Sequence, residues 1–300
     1  MVQSIFLNSE NVVYNNNGQI FNKMKFKFST PVEFKNNAKI SLGSLNLYYS
    51  WFNISKAYNN NSFSYIFLGQ SRTFTIADGN YSIDDINDLF IVYMRSQGHY
   101  TYDSTTNIAT YYASFSANAS LYSIQLDFIP IPTDCTIANG PKKIPYYETI
   151  VNSVVTPNPY FTKPAVKETM QVIILDNNFT KITGITAGTY PLTVQQTEIS
   201  FKSNFTPQVN PISCVMITCN LVKQKYSSPN NILYIFGNGG TTFGDQIKIE
   251  PNEYQFCEVA NGVYEYIELI FYDQLNRSLE LRDEEVIVNL LIKLDDDNNK

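Results

Sequence analysis

The sequence predicts an all-β protein, on two observations. The 300 residues include 22 Tyr and 20 Phe but one Trp, and aromatic and β-branched residues favour pleated, half-buried surfaces. Between Pro211 and Leu294, five apolar-alternating runs follow one another, and no long apolar run of helical period interrupts them. The five predicted strands are Cys214–Val222, Ile232–Phe236, Gln246–Val259 (broken at Pro251), Tyr264–Tyr272 and Glu285–Leu294.

Turn-forming residues separate these runs. They lie at Asn238-Gly239-Gly240, at Asn261-Gly262 and at Asp273-Gln274-Leu275-Asn276, and such residues favour hairpin connections. The last run alternates most cleanly, which predicts one buried face. Its predicted inward residues are Val286, Val288, Leu290, Ile292 and Leu294.

The front of the chain predicts long strands joined by polar turns. Residues 1–20 predict an arm or edge strand around Ile5-Phe6-Leu7, with a turn at Asn15-Asn16-Asn17-Gly18. Three strands follow: Phe21–Ser29, which Pro31 closes; Lys39–Ile54; and Phe63–Ile76, bent near Gly69. In the first of these, Lys23, Lys25 and Lys27 alternate with Met24, Phe26 and Phe28, which predicts a solvated face opposite a buried one.

One helix is predicted after these strands. Ser82 is positioned as its N-cap with Asp85 three residues later, and Gly98 ends it. Its apolar residues recur at helical spacing: Ile83, Ile86, Leu89, Phe90, Tyr93 and Met94. Asp84, Asp85 and Asp88 complement the helix dipole, so we interpret them as helix-start residues rather than as a metal site.

The centre of the chain has shorter runs and predicts an insertion. Ile108–Phe115 and Leu121–Ile129 predict a hairpin around Asn118, and Gln171–Leu175 a short strand. Asn178–Ile182 predicts one helical turn ended at Gly184. Prolines mark the span between hairpin and strand: Pro130, Pro132, Pro141, Pro145, Pro157, Pro159 and Pro164.

Three long strands before the centre and five after it make eight. We therefore predict a single eight-stranded jelly roll with one capping helix and an inserted β-rich domain. The predicted base domain comprises residues 1–98 and 207–300, and the inserted upper domain comprises 99–206. An immunoglobulin-like sandwich is the rival fold, but it needs no capped helix, and its Cys and Trp pattern is missing.

Charge and cysteine content exclude several classes of protein. The net charge of −6 and the pI of about 4.9 argue against a nucleic-acid partner, which would require a basic face. No apolar run reaches 18 residues and no signal-peptide pattern is present, so we expect neither secretion nor membrane insertion. Cys135, Cys214, Cys219 and Cys257 match no metal-ligand spacing, and we expect them to be buried thiols in a reducing compartment.

Catalytic chemistry is hard to assemble from these residues. His99 is the single histidine and follows Gly98 in a turn, and Gly237-Asn238-Gly239-Gly240 lacks the residues of a phosphate loop. Carboxylate pairs such as Asp84 with Asp88, or Glu265 with Glu268, have the composition of a glycosidase site but are interpreted as solvated. Asp295-Asp296-Asp297 predicts a solvated tail. We predict no catalytic, cofactor-binding or metal-binding residues, no cofactor, and no enzyme activity.

Several short segments have the composition of family motifs. The main one, before the helix, is Asp78-Gly79-Asn80-Tyr81-Ser82-Ile83-Asp84-Asp85-Ile86-Asn87. The others are Ser123-Ile124-Gln125-Leu126 with Pro130-Ile131-Pro132-Thr133, Gly188-Thr189-Tyr190-Pro191, Ser203–Val209, Cys219-Asn220-Leu221-Val222 and Tyr272-Asp273-Gln274. In residues and in their order along 78–294, these segments resemble the penton (minor capsid) proteins of virophages and Polinton-like viruses, whereas Pro130–Pro164 aligns with no family motif.

The resemblance implies a viral structural protein. It implies a jelly-roll base with strands roughly normal to the shell, an inserted domain raised outward, and a homopentamer at each icosahedral vertex. Implied partners are double jelly-roll major capsid proteins, with a minor cement protein as an optional addition. The implied location is the virion, assembled in the host cell cytoplasm. The family has no catalytic residues to carry over, and its interface residues match no particular positions here.

Two alternatives from other classes stay open. Tyr- and Asn-containing loops are compatible with a sugar-binding β-sandwich module of the lectin or fibre-head kind. Paired carboxylates leave a glycosidase as a third reading, although no sequence feature favours it.

Overall fold

A computed structural model describes residues 2–15, 20–35, 37–103, 108–133, 142–143, 148–151, 154–157 and 165–294. Four predicted features lie wholly or mostly outside these residues: the turn at Asn15-Asn16-Asn17-Gly18 (beyond Asn15), Cys135, the Asp295-Asp296-Asp297 run and most of the proline span. Within the described ranges, the α-helices are α1 (Ile83–Ser96) and α2 (Phe179–Thr183).

The strands of the described residues are numbered in chain order. They are β1 (Val2–Leu7), β2 (Val12–Tyr14), β3 (Phe21–Phe34), β4 (Lys39–Tyr48), β5 (Ser62–Phe67), β6 (Gln70–Thr75), β7 (Thr101–Asp103), β8 (Ile108–Thr110), β9 (Ala113–Asn118), β10 (Ser123–Phe128), β11 (Lys142–Lys143), β12 (Glu148–Val151), β13 (Val154–Pro157), β14 (Gln171–Ile174), β15 (Gly188–Tyr190), β16 (Ile199–Lys202), β17 (Val215–Cys219), β18 (Ile232–Phe236), β19 (Gln246–Ile249), β20 (Cys257–Glu258), β21 (Gly262–Asp273) and β22 (Ile287–Lys293).

The chain folds into two compact units. The first combines Met1–Phe52 with Ile212–Lys300, and the second is Asn53–Pro211. The front and the end of the chain therefore build one unit, and the middle builds another.

The first unit is a jelly roll. One sheet has the strand order β1-β22-β4-β19, with β20 also paired to β4, and the other has the order β18-β17-β21-β3-β2. Apart from the short β2 and β20, eight strands remain. We number these eight strands from 1 to 8 along the chain. Across the first sheet they then lie in the order 1-8-3-6, and across the other sheet in the order 5-4-7-2. This alternation between two antiparallel sheets is the double Greek key of a jelly roll, so the predicted fold class is confirmed.

Strands from both ends of the chain pair directly. β1 lies antiparallel to β22 from Val2 opposite Lys293 to Leu7 opposite Val288, and β22 pairs with β4 on its other side. Leu290 is fully buried, as are Val286, Val288 and Ile292, whereas Leu294 is half-buried. The predicted inward face is thus confirmed for four of its five members.

The jelly roll has eight main strands, as predicted, but one of the eight predicted strands does not belong to it. The Phe63–Ile76 run is not a jelly-roll strand: it forms the hairpin β5–β6, and β5 pairs with β14 in the second unit. Leu68 and Gly69 both have positive φ at its tip, which turns the predicted bend into a tight reversal. The missing strand is β1, which is paired along its whole length.

The prediction that consecutive strands of the first unit form hairpins is wrong at three connections. β18 and β19 lie in different sheets, and so do β20 and β21, and β21 and β22. The turn residues are where they were predicted, with positive φ at Gly239, Gly240 and Gly262. Turn-forming residues allow the chain to reverse, but they do not determine which sheet the next strand joins. At Asp273–Asn276 the turn is locally hairpin-like, since the Leu279 amide donates to the Phe271 carbonyl at 3.1 Å.

Pro31 does not end its strand. β3 continues to Phe34, but its pairing with β21 shifts between Lys27, opposite Tyr266, and Val32, opposite Tyr264. Pro31 therefore lies in a bulge, where its missing N–H removes no ladder hydrogen bond.

The second unit is β-rich and contains both helices. Its described sheets have the orders β15-β14-β5-β6, β16-β10-β9, β11-β7-β8 and β12-β13. The predicted hairpin forms as β9–β10, but Ile108–Thr110 of its predicted first arm is the separate strand β8, which pairs with β7. Helix α1 has the predicted capping box: the Ser82 amide donates to Asp85 Oδ2 at 2.8 Å, and the Asp85 amide donates to Ser82 Oγ at 3.1 Å. Helix α2 ends at Gly184 in the left-handed conformation, as predicted.

The units differ from the predicted domain limits. Residues 53–98 belong to the second unit because β5 and β6 share a sheet with β14, and α1 packs in the same core. The helix is therefore a core element of the second unit rather than a cap on the jelly roll. That core is aromatic: the Phe63 ring lies 5.0–5.3 Å from the rings of Phe74, Phe90, Phe115 and Phe179.

Candidate functional site

His99 is a core residue of the second unit. Its side chain is 0% exposed, stacks on the Phe67 ring at 4.3 Å, and lies with Nδ1 2.9 Å from the Tyr65 hydroxyl. Burial, with a smaller contribution from the Arg72 charge, lowers the pKa of His99 to about 4. A neutral, enclosed imidazole cannot reach a substrate in solution, so this histidine is structural.

Of the acidic residues of α1, Asp85 caps the helix. The hydrogen bonds from Ser82 lower the pKa of the Asp85 carboxyl, and Asp84 and Asp88 are exposed. Across the described ranges, no group of three His, Cys, Asp or Glu side chains could hold a metal ion.

The cysteines that the structure describes are free thiols. Cys219 and Cys257 are buried and Cys214 is half-buried. Burial raises the pKa of Cys219 to about 12 and also raises that of Cys257. Because the thiolate is the reactive form, the two buried cysteines act as small apolar residues.

The remaining candidates lie on the surface of the jelly roll. Gly239 and Gly240 form the tip of a loop in which the Thr241 amide donates to the Asn238 carbonyl at 2.9 Å. Glu268 forms an ion pair with Lys23 at 3.3 Å, whereas Glu265 is exposed. These contacts assemble neither a phosphate loop nor a carboxylate pair.

The solvated and buried faces predicted for β3 are confirmed in part: Lys23 is half-buried in its ion pair with Glu268, and Phe26 and Phe28 of the predicted buried face are also half-buried. Lys25 and Lys27 are exposed, the Lys25 ammonium lies 3.7 Å from the centre of the Tyr266 ring, and Met24 is fully buried. The stripe therefore stabilises its own sheet.

An exposed apolar surface follows the outer edge of the first sheet. β1 is an end strand, and among the described residues it pairs only with β22. Phe6 is 63% exposed, and Val2 and Ile287 are also exposed. We call these three residues the β1 edge surface. An unpaired strand edge with outward apolar side chains is a template for contact with another chain.

β1 confirms the edge strand that was one of the two predictions for residues 1–20, but its exposed apolar surface was not predicted from the sequence. The available signal was the alternation of Val2, Ser4 and Phe6 with Gln3, Ile5 and Leu7. It gives the strand period but does not identify the partner strand.

Among the described residues, the helices are too short or too polar to cross a bilayer.

The solved structures with similar chains include two viral proteins. One is a crystal structure of the selenomethionine-labelled mavirus penton protein, with a TM-score of 0.46 and 10% identity, covering 98% of each chain. The other is a chain of the Sputnik virophage, determined by cryo-EM at 3.5 Å, with a TM-score of 0.39 and 12% identity, covering 100% of this chain and 99% of the other.

No family model and no curated protein matches the sequence. Both TM-scores are below 0.5, and the fold is therefore assigned from the strand order of the first unit.

Proposed function

We propose that this chain is a structural capsid protein that forms a homopentameric penton at the icosahedral vertices of a virion. The observation that carries the proposal is the jelly roll, whose chain leaves after β4 and returns at β17 to complete both sheets. A fold alone does not fix a function. The ordered segments that resemble the penton family supply the second line of support.

The β1 edge surface is the contact that we assign to the neighbouring copy. A closed ring needs a heterologous interface, in which one patch meets a different patch on the next subunit. An exposed edge strand with Phe6 at its outer face suits such a contact, because an aromatic anchor buries a large area at low entropic cost.

The chemistry of the described residues agrees with a structural role. The single histidine is buried and neutral, the buried thiols are unreactive, and no described carboxylate cluster could bind a metal. The partners proposed for the penton are double jelly-roll major capsid proteins, with a minor cement protein as an optional addition. The proposed location is the virion, with assembly in the host cell cytoplasm.

The test is assembly of the purified chain, alone and with a double jelly-roll major capsid protein. We expect Phe6→Asp to keep the thermal melting curve of the parent chain while abolishing assembly. Val263→Asp is the matched control, because Val263 is 65% exposed and lies on the other sheet; this variant should assemble normally. A parent chain that stays monomeric and also fails to join shells would refute the proposal.

A sugar-binding module is the second candidate, favoured by one observation in the second unit. Tyr122 is 82% exposed at the turn between β9 and β10, and exposed aromatic rings can stack on sugars. Micromolar binding on a glycan array that Tyr122→Ala removes would support this function. A blank array would leave the capsid role as the sole proposal.

A further inference from the structure

A cleft of about 740 Å³ is lined entirely by residues of the first unit. Its walls are the loop after β17 (223–227), strand β18, and the segment 255–258 that ends in β20. We call it the 223–258 cleft. Its volume falls within the range of pockets that bind ligands, and it lies apart from the β1 edge surface in sequence and in strand order.

The cleft is held open by hydrogen bonds between its walls. The Gln224 side-chain amide donates to the Ile232 carbonyl at 2.8 Å and lies 2.9 Å from Cys257 Sγ. The Lys223 amide donates to the Glu258 carbonyl at 3.1 Å. All three walls are therefore joined, and a preformed cleft loses little entropy when it binds.

The charge at the cleft opposes that of the chain. Lys223 and Lys225 are exposed, and within the part of the chain that the structure describes neither ammonium group forms an ion pair. The one carboxylate in the lining belongs to Glu258. In a chain of net charge −6, two unpaired lysines at one cleft favour a ligand that carries carboxylates.

The lining between the lysines is aromatic and aliphatic. Tyr226 is 100% exposed, Ile235 is exposed, and Tyr234 and Phe256 are half-buried. Tyrosine and isoleucine side chains left in water at a concave site are typical of binding surfaces. The Ser227 hydroxyl also lines the cleft, and no described group forms a hydrogen bond with it although it is shielded from water.

We infer that the 223–258 cleft binds an extended acidic segment of a partner protein, with an aromatic or aliphatic side chain inserted among Tyr226, Ile235 and Phe256. The carboxylates flanking that side chain would pair with Lys223 and Lys225. The inference is independent of the capsid proposal, because it uses the lining of the cleft alone.

The test is a fluorescence anisotropy titration of the full chain with a labelled pentapeptide, phenylalanine between two aspartates on each side. Two comparison peptides have the aspartates replaced by lysines or the phenylalanine by alanine. We expect saturable binding of the acidic phenylalanine peptide below about 1 mM. Binding should weaken about tenfold in the double variant Lys223→Glu/Lys225→Glu, and also in salt of about 1 M, where the Debye length falls to about 3 Å.

The matched control is Lys27→Glu/Lys248→Glu, which changes the net charge equally at exposed lysines outside the cleft. It should bind like the parent chain. The inference is overturned if the acidic peptide does not bind, if the lysine peptide binds equally well, or if both double variants weaken binding to the same extent. Thermal melts of both variants show that a loss of binding is not a loss of fold.

Discussion

Acid should destabilise the second unit through His99. The imidazole is enclosed by Phe67 and Tyr65, and its pKa is lowered from 6.5 to about 4. Between these two pH values the unfolded chain binds a proton that the folded chain does not, so the free energy of unfolding falls as pH falls. A difference of roughly 2.5 pKa units corresponds to about 3 kcal/mol, lost between about pH 6.5 and pH 4. The charged groups near His99 include Arg72, which lowers its pKa further.

The single histidine makes the measurement direct. An NMR titration of the imidazole C–H signals has one residue to follow, and we expect no titration between pH 8 and about pH 5. In parallel, the unfolding free energy of the parent chain should fall with acid more steeply than that of His99→Gln, which keeps a hydrogen-bonding group near Tyr65 but cannot gain a charge. A titration midpoint near 6.5, or parallel pH profiles for the two proteins, would show that His99 is accessible to water and that the core assignment is wrong.

Three further substitutions test the packing. Leu290→Asp places a charge at a fully buried position of β22 and should cost several kcal/mol, abolishing soluble expression; a folded Leu290→Asp protein would contradict the inward face. Phe63→Ala should cost about 3–5 kcal/mol by thermal melting, because five phenylalanine rings meet there; a loss below about 1 kcal/mol would mean that the cluster is loosely packed. Asp273→Ala removes the buried acceptor of the Leu275 amide at 2.8 Å and of Arg277 Nε at 2.7 Å and should cost about 2–3 kcal/mol by chemical denaturation, whereas an unchanged midpoint would show that the turn is formed without it.

Local features were predictable because they depend on neighbouring residues. The alternation of Val286 to Ile292 gave the buried face of β22, and Ser82 with Asp85 gave the start of α1. Side-chain direction repeats about every 2 residues in a strand and about every 3.6 residues in a helix. This repeat, like the capping box, depends on a few consecutive residues.

The pairing of strands that are distant in the sequence was harder to predict. The count of eight strands was right, but β5–β6 was counted as a jelly-roll strand, and β1, predicted as an arm or edge strand, was left out of the count, because alternation identifies a strand without identifying its neighbour. The position of Pro31 in β3 shows the same limit: a bulge depends on the partner strand β21. The 223–258 cleft could not be read from the sequence either, since its walls come from three separate segments that meet only after both sheets have formed.

The central claim, that five copies of this jelly roll close a ring, is tested most directly by mass photometry of the purified chain with and without a double jelly-roll major capsid protein, combined with negative-stain electron microscopy. The account predicts a species of five times 34.2 kDa, about 171 kDa, with five-fold rings or five-fold density at shell vertices. A single species of 34.2 kDa under both conditions, with no density added to shells, would contradict it.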